Sequence, residues 1–357
     1  LIFIKCSFNF LRIFLDNTLG VNMKKNFNND LKFGIQANGI KHKHLDPMPD
    51  IATRFKMVKE QAIFDYVDKT PESHEVDDFK KYSQEYNLPI RGGGWFYEIG
   101  NHKELLEKNL KTGKELGSLV HNTQIKAYKS NGQLANDIDI RDAYLEAYDL
   151  GLKYDVIPCF EIHVNMWSED FLRVSKVGKM VEEMGAEYNL TLDHSHVIFK
   201  IDNPKEQKIF NIDKQIKSGE LILDPFAVGN VVESWINNGW VRHCHARAAV
   251  PNNPINIFGK HPDGSLGRGI QYPFKQPKEN EYHENWDEKL LEPWKECIRM
   301  LMKYHINDEK SKLGQISTEF IPNTDYGEGC QYSLFEQAIE CTKWMKKTWD
   351  ELNKEVN

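Results

Sequence analysis

The sequence has no apolar run of the roughly 20 residues that a membrane-spanning helix needs. Its six cysteines are scattered, without zinc-finger or disulfide-framework spacing, which is typical of a protein from a reducing compartment. The formal net charge is −7 and the pI about 6.0, so the chain lacks the basic excess that binds nucleic-acid phosphates. These absences favour a cytoplasmic protein with a small-molecule partner and no membrane or nucleic-acid partner, and they are compatible with a homo-oligomer.

The N-terminal segment 1–22 is apolar enough to suggest a signal peptide, but it lacks a clean apolar centre and a small-residue cleavage site. Its apolar run is interrupted by polar residues, among them Lys5, Asn9, Arg12 and Asp16. The first methionine is Met23. We therefore expect residues 1–22 to be a mis-assigned or disordered extension and residues 31–357 to form the folded domain.

Short apolar runs alternate with longer amphipathic runs from Leu31 onward. About eight such β-then-α units follow one another, with the strand candidates LKFGIQANG, IFDYV, LPIRGGGWF, SLVHNTQIKAY, DVIPCFEIHV, NLTLDHSHV, WVRHCHARA and GQISTEFIP. Strict alternation predicts a parallel sheet, and eight units are the number that closes it into a (β/α)8 barrel. An open doubly wound sheet is disfavoured, because no G-x-G-x-x-G turn follows the first strand.

Two long polar stretches, about 198–228 and 248–290, are predicted to be loop insertions after the sixth and seventh strands. Neither a repeat nor a low-complexity linker marks a second domain. The last amphipathic run, SLFEQAIECTKWMKKTWDEL, opens with Ser333 and Glu336 at the spacing of a helix capping box. The predicted fold class is thus α/β, a single-domain TIM barrel with extended loops after strands 6 and 7.

Four predicted strands end in residues that can bind a metal ion or carry a proton: Glu161, Asp193, the pair His243 and His245, and Glu319. Period-two alternation places the two histidines on the same side of their strand. In a TIM barrel the C-terminal strand ends form the catalytic face, so these side chains are expected to converge. Several converging carboxylates repel one another unless a cation neutralises them, which predicts one divalent metal ion.

The predicted donors are oxygen and nitrogen without a thiolate, which suits Mn²⁺, Mg²⁺, Co²⁺ or Zn²⁺. The run RGGGWF offers Trp95 and Phe96 as walls of a substrate entrance, although a plain glycine turn fits it equally well. His121 is expected to be a core or loop residue. The other histidines in polar surroundings are expected to be solvated: His42, His44, His74 and His102.

The order Glu, Asp with a His three positions later, His, Glu over the last four strands resembles the xylose isomerase-like TIM-barrel superfamily. That superfamily holds sugar epimerases and isomerases, inosose dehydratases and endonuclease IV. The resemblance implies that one divalent metal ion is bound by four residues of this chain: Glu161, Asp193, His245 and Glu319. It also implies that His196 contacts the substrate or the metal, leaves His243 as a neighbouring substrate-binding candidate, and turns His194 away.

Within the superfamily, the ketose 3-epimerase and hydroxypyruvate isomerase group is the closest functional analogy. By that resemblance Glu161 and Glu319 are a catalytic acid/base pair that moves a proton next to the carbonyl of a sugar or sugar phosphate. Trp95 is a further substrate-binding candidate. Arg247 and Arg268 are candidates for contacts with substrate hydroxyl, carboxylate or phosphate groups, although surface arginines are an equal alternative.

The chain departs from the ketose 3-epimerases at two positions. Trp167 stands where they carry an acidic residue, and Pro251 stands where they carry an arginine. A metal-dependent dehydratase or lyase of the inosose or dehydroshikimate type is therefore the main alternative. An endonuclease IV-like nuclease is disfavoured, because it needs extra histidines on earlier strands and IRGGGW has none. A non-catalytic sugar-binding protein is the remaining alternative.

Overall fold

The structure is a computed structural model that describes residues 30–252 and 256–356, so the expected extension 1–22 lies outside the described residues. In these ranges the chain forms eleven strands: β1 (Lys32–Gln36), β2 (Tyr66–Asp68), β3 (Ile90–Gly92), β4 (Gly94–Tyr97), β5 (Val120–Ile125), β6 (Ile157–Glu161), β7 (Leu190–Leu192), β8 (Val241–Ala246), β9 (Asn256–Lys260), β10 (Leu266–Gly267) and β11 (Gln315–Thr318).

Nine of these strands form one sheet in the order β3-β2-β1-β11-β8-β7-β6-β5-β4, and all neighbours pair in parallel. The third predicted strand is divided at Gly93, so that β3 pairs with β2 while β4 pairs with β5. The Gly92 carbonyl accepts from the Lys69 amide at 3.0 Å, and the Gly93 carbonyl accepts from the Asn122 amide at 2.7 Å. The predicted TIM barrel is confirmed, as a nearly closed barrel with nine strands rather than eight.

Glycine is required at this junction because a Cβ at position 93 would lie 2.8 Å from the Thr70 amide nitrogen and closer still to the Thr70 hydroxyl. Contacts that close leave no room for a side chain. The middle glycine of the RGGGWF run therefore permits the close approach of this strand to Thr70.

Helices are interleaved with the strands: α1 (Ile51–Gln61), α2 (Val76–Glu85), α3 (His102–Leu116), α4 (Asp137–Tyr154), α5 (Phe171–Glu183), α6 (Ser195–Ile198), α7 (Pro204–Gln207), α8 (Ile212–Ser218), α9 (Val231–Asn237), α10 (Glu292–Asn307) and α11 (Leu334–Val356). Side-chain oxygens cap several of their N-termini, as Asn136 does for α4. Ser333 Oγ accepts from the Glu336 amide at 3.2 Å, as the capping spacing predicts. No helix in the described part of the chain is long and apolar enough to cross a bilayer.

The two long polar stretches are loop insertions, as predicted. The first follows β7 and contains the short helices α6, α7 and α8. The second follows β8 and contains the antiparallel pair β9 and β10. Because both β7 and β8 run towards the same end of the barrel, the two insertions lie on the side where the polar strand-end residues emerge.

The core fills the space around the strands with fully buried apolar side chains. Alternation places Cys244 on the opposite side of β8 from the two histidines, and its side chain is buried in the apolar core. Burial raises the pKa of the Cys244 thiol well above its usual value. The polar face of β8 is thereby directed to the barrel interior and its mouth.

Candidate active site

The structure brings the four predicted metal ligands together. Glu161 ends β6, Asp193 directly follows β7, His245 lies on β8, and Glu319 directly follows β11, and these four strands are neighbours in the sheet. One ligand atom from each lies within 4.8 Å of the others, and all four side chains are buried. Adjacent parallel strands that end at one edge thus collect residues far apart in the chain.

Glu161 is held by amide groups that the sequence reasoning did not single out. Asn122 Nδ2 donates to its carboxylate at 2.7 Å and Gln124 Nε2 at 2.5 Å, and His245 Nδ1 lies 2.8 Å away. Burial opposes ionisation of Glu161, but the nearby His245 outweighs it and lowers the pKa to about 2. Alternation along β5, which puts residues 122 and 124 on one side, is the signal that could have indicated them.

Arg247 joins the two other carboxylates of the site. Its Nη1 donates to Asp193 at 2.7 Å and its Nη2 to Glu319 at 2.5 Å, and its Cζ lies 4.0 Å from the centre of the Tyr326 ring. Burial disfavours the charged form of Asp193, but Arg247 and then His196 hold its pKa well below the usual value. Arg247 was predicted to contact substrate, and the structure places it beside the proposed metal ligands.

His196 contacts the site and His194 does not. His196 Nε2 lies 3.1 Å from Asp193 Oδ2, and burial lowers the pKa of its imidazole to about 4, so the ring is neutral at pH 7. His194 is turned towards α10, where it stacks on Trp294 at 5.1 Å between ring centres. His163, which follows β6, lies 3.0 Å from the Tyr326 hydroxyl through its Nε2.

Asp68, at the end of β2, forms a second cluster that the sequence reasoning missed. Ser317 Oγ donates to its Oδ2 at 2.7 Å, and the Nε2 atoms of His243 and His245 lie 3.3 and 3.4 Å from it. Burial lowers the pKa of His243 to about 4. His245 is also buried, yet Glu319 and Glu161 raise its pKa well above the usual value. The last residue of the short apolar run FDYVD was the available signal for Asp68.

A cavity of about 440 Å³ opens beside these residues, and His245, Arg247 and Glu319 line it. Glu161 and Asp193 are buried next to it without lining it. Trp95 and Phe96 also line the cavity and stack with ring centres 5.4 Å apart. The remaining lining is largely polar: Gln36, Asn38, Lys69, Thr70, Gln124, Asn323, Thr324 and Asp325.

Arg268 lies in a different cluster of charges. Its guanidinium binds Glu169 at 2.5 Å and also Glu206, while Lys200 Nζ lies 2.8 Å from Glu169 and 3.6 Å from Glu206. We call these four residues the outer ion cluster, because none of them lines the cavity. The outer ion cluster connects the first turn after β6 to both loop insertions.

Two histidines outside the proposed metal site, His121 and His102, are also buried. His121 Nε2 and the Tyr97 hydroxyl share a hydrogen bond of 2.6 Å, and the buried position of His121 agrees with the expected core position. His102, expected to be solvated, is instead buried at the start of α3, with Nε2 3.4 Å from Glu146. The polar neighbours of His102 in sequence face outward, which concealed its position.

The donor set of the site fits a divalent cation. Three carboxylates and one imidazole converge without a thiolate, and the carboxylate of Asp68 lies on the far side of His245. Arg247 is the one permanent cation that contacts this set among the described residues. Sites for Mg²⁺, Mn²⁺ or Zn²⁺ provide oxygen and nitrogen donors with a net negative charge, as this site does.

No family model and no curated protein matches the sequence. Solved structures do match. The IolI protein with a bound zinc atom has a TM-score of 0.52 at 14% identity, with 92% of this chain and 99% of IolI covered. A xylose isomerase-like TIM-barrel protein from Mycobacterium smegmatis in complex with magnesium has a TM-score of 0.51 at 11% identity, with 90% and 97% covered.

The probable 3-DHS dehydratase AsbF from Bacillus anthracis has a TM-score of 0.51 at 11% identity, with 88% of this chain and 98% of that one covered. At such low identities the comparisons establish the fold. The protein has the xylose isomerase-like TIM-barrel fold, which confirms the fold that the sequence resemblance implied.

Proposed function

We propose that the protein is a metal-dependent isomerase or epimerase of a sugar or sugar derivative, acting by proton transfer next to a carbonyl. The observation that carries the proposal is the convergence of the Glu161, Asp193, His245 and Glu319 donor atoms within 4.8 Å beside the cavity. Two proteins of the same fold contain zinc and magnesium, which supports a metal ion at this site.

A divalent ion held by these four residues would polarise a substrate carbonyl and make the neighbouring C–H bond acidic. The carboxylates of Glu161 and Glu319 are the proposed proton carriers. Glu319 lines the cavity, and Arg247 fixes its orientation through the bond from Nη2. The pKa of Glu161, opposed by burial but lowered to about 2 by His245, keeps that carboxylate ionised at neutral pH.

The cavity suits a polyhydroxylated small molecule. Its polar side chains can donate to and accept from hydroxyl groups, and the stacked Trp95 and Phe96 offer an apolar face of the kind a sugar ring can cover. His196 and His243 are buried behind this lining and support the site residues. The five described cysteines are free and buried, which supports the proposed cytoplasmic location.

Proton exchange with solvent tests the proposal. Ketoses, aldoses, their phosphates, hydroxypyruvate and inososes would be incubated with the protein and Mn²⁺ in D₂O. We expect deuterium at the carbon next to the carbonyl of one compound, together with its epimer or isomer. An unsaturated or deoxy product would instead show the dehydratase reaction, and cleavage of abasic DNA with a silent sugar panel would show a nuclease.

A further inference from the structure

Among the described residues, two basic side chains other than histidine line the cavity, Arg247 and Lys69, and they differ in their partners. Arg247 lies against Asp193 and Glu319. Lys69, the residue after β2, has no carboxylate oxygen within 4.0 Å of its Nζ among the described residues, and the contact that Nζ makes is with Asn38 Oδ1 at 3.1 Å. Glu75, Glu72 and Asp68 act on it at longer range.

The position of Lys69 is fixed by the backbone. Its amide donates to the Gly92 carbonyl at 3.0 Å, which ties the residue to the end of β3. Asn38 is fixed as well, because its own amide donates to Gln36 Oε1 at 2.5 Å. The Lys69 side chain therefore starts from a defined backbone position on the cavity wall, and its Nζ is directed towards Asn38 Oδ1.

An ammonium group in such a half-buried position is costly unless an anion or water solvates it. Desolvation lowers the pKa of Lys69, and the more distant carboxylates offset this effect only in part. Buried cations elsewhere at this end of the barrel are compensated within the chain, as Lys200 is by Glu169 and Glu206. Lys69 differs in facing open space.

We propose that Lys69 binds an anionic group of the substrate, so that the substrate is a sugar acid or a sugar phosphate rather than a neutral sugar. The inference rests on the proposed function in that it assumes the cavity holds the substrate. A lysine is a point charge that accepts carboxylate and phosphate oxygens alike, so the shared chemistry is the negative charge. The Trp95 and Phe96 wall would then cover the uncharged part of the molecule.

Calorimetric titration of the full chain with Mn²⁺ present tests the inference. The probes are D-gluconate, D-glucose 6-phosphate, inorganic phosphate, and neutral D-glucitol. The variants are Lys69→Met, Lys69→Arg and, as a matched control, Lys126→Met. Lys126 also follows a barrel strand at the same end, but it does not line the cavity and lies 3.6 Å from Glu98.

We expect the wild type to bind gluconate or the sugar phosphate at least roughly tenfold more tightly than glucitol, since a charge-assisted bond is among the stronger polar contacts. Lys69→Met should remove that preference and leave the affinity for glucitol unchanged. Lys69→Arg should retain most of it, and Lys126→Met all of it. Preference for gluconate over glucose 6-phosphate, or the reverse, distinguishes a carboxylate from a phosphate.

Equal affinity for charged and neutral probes in the wild type, or a preference that survives Lys69→Met, overturns the inference. Binding of no probe by a correctly folded wild type also overturns it. The proposed function is judged separately, by Mn²⁺ binding and by solvent exchange on neutral ketoses. If the protein binds Mn²⁺ and catalyses solvent exchange but binds charged and neutral probes equally, the proposed function stands and Lys69 does not bind an anionic group.

Discussion

The molecule buries charged groups in two neighbouring regions, and the regions differ in charge balance. The outer ion cluster pairs two carboxylates, Glu169 and Glu206, with two cations, Lys200 and Arg268. Each carboxylate contacts both cations. A buried cluster that is neutral as a whole needs no further partner, and it does not line the cavity.

The candidate active site is unbalanced by comparison. Its carboxylates are Asp68, Glu161, Asp193 and Glu319, and among the described residues the permanent cation in contact with them is Arg247. The imidazole of His245 contacts three of these carboxylates. Burial of charge alone therefore does not mark a functional site. An excess of negative charge beside a cavity does mark one, because a bound cation then lowers the electrostatic energy of the buried carboxylates.

The largest expected effect is on turnover. Glu319→Gln and Glu161→Gln should each lower the rate of the proposed reaction by ~10²–10⁴-fold, because an acid/base group is lost while the shape is kept. The matched control is Glu169→Gln, the same change in the outer ion cluster, which should leave turnover per folded molecule nearly unchanged. Metal content must be measured in each variant, since lost ligation would imitate lost proton transfer. Wild-type turnover in both site variants with metal retained would contradict the mechanism.

The next effect concerns stability of the outer ion cluster. Arg268→Met leaves Glu169 and Glu206 with one cation between them, and breaking a buried pair in this way commonly costs ~3–5 kcal/mol of unfolding free energy. Urea unfolding followed by circular dichroism measures the loss. A loss below ~1 kcal/mol, the value typical of surface pairs, would show that the cluster is solvated rather than buried.

Metal binding should stabilise the fold by a smaller amount. At a free Mn²⁺ concentration a hundred times the dissociation constant, the unfolding free energy should rise by ~2.7 kcal/mol through mass action. The gain should vanish in an Asp193→Asn, His245→Gln double variant and persist in Arg268→Met. Thermal melts with Mn²⁺ and with chelator provide the measurement. Equal melting temperatures in both conditions for the wild type would argue against the metal site.

The smallest of these effects is the change in stability of the outer ion cluster between pH 7 and 3. Burial alone would raise the pKa of Glu169, but Lys200 and Arg268 lower it to about 2 from a usual value of 4.5. The native state therefore binds fewer protons than the unfolded chain between these values. The stabilisation is fully present above pH 4.5 and is lost as the pH falls towards 2. Urea midpoints from pH 7 to 3 should fall less steeply in Glu169→Gln than in the wild type.

Much of the barrel could be predicted from the sequence because the β-then-α alternation is a local pattern. The strand-end residues Glu161, Asp193 and Glu319 were recognisable because a charged residue at the end of an apolar run is unusual. Asp68 also ends such a run, but its neighbour in the site is His243, and only the closed sheet shows that β2 and β8 face each other across the interior.

Other features depend on contacts between distant segments. Asn122 and Gln124 are uncharged amides inside a strand, and alternation along β5 indicates only that they share a side, whereas their contact with Glu161 depends on the neighbouring strand β6. Arg268 lies in a long insertion, and its two carboxylate partners come from other loops, 99 and 62 residues away in the chain. Pairings of that range are decided by tertiary packing, which local patterns do not encode.

The third strand is divided at Gly93, and one residue on each side of this division is hydrogen-bonded to it and lines the cavity. On one side the Gly92 carbonyl positions Lys69, and on the other the Gly93 carbonyl positions Asn122, whose side chain holds Glu161. The wall with Lys69, which would bind the substrate, and the wall with Asn122, which holds the proposed proton carrier Glu161, are therefore hydrogen-bonded to two consecutive peptide groups. Covalent geometry sets the spacing of these two peptide groups, so both walls are hydrogen-bonded to points that cannot move apart.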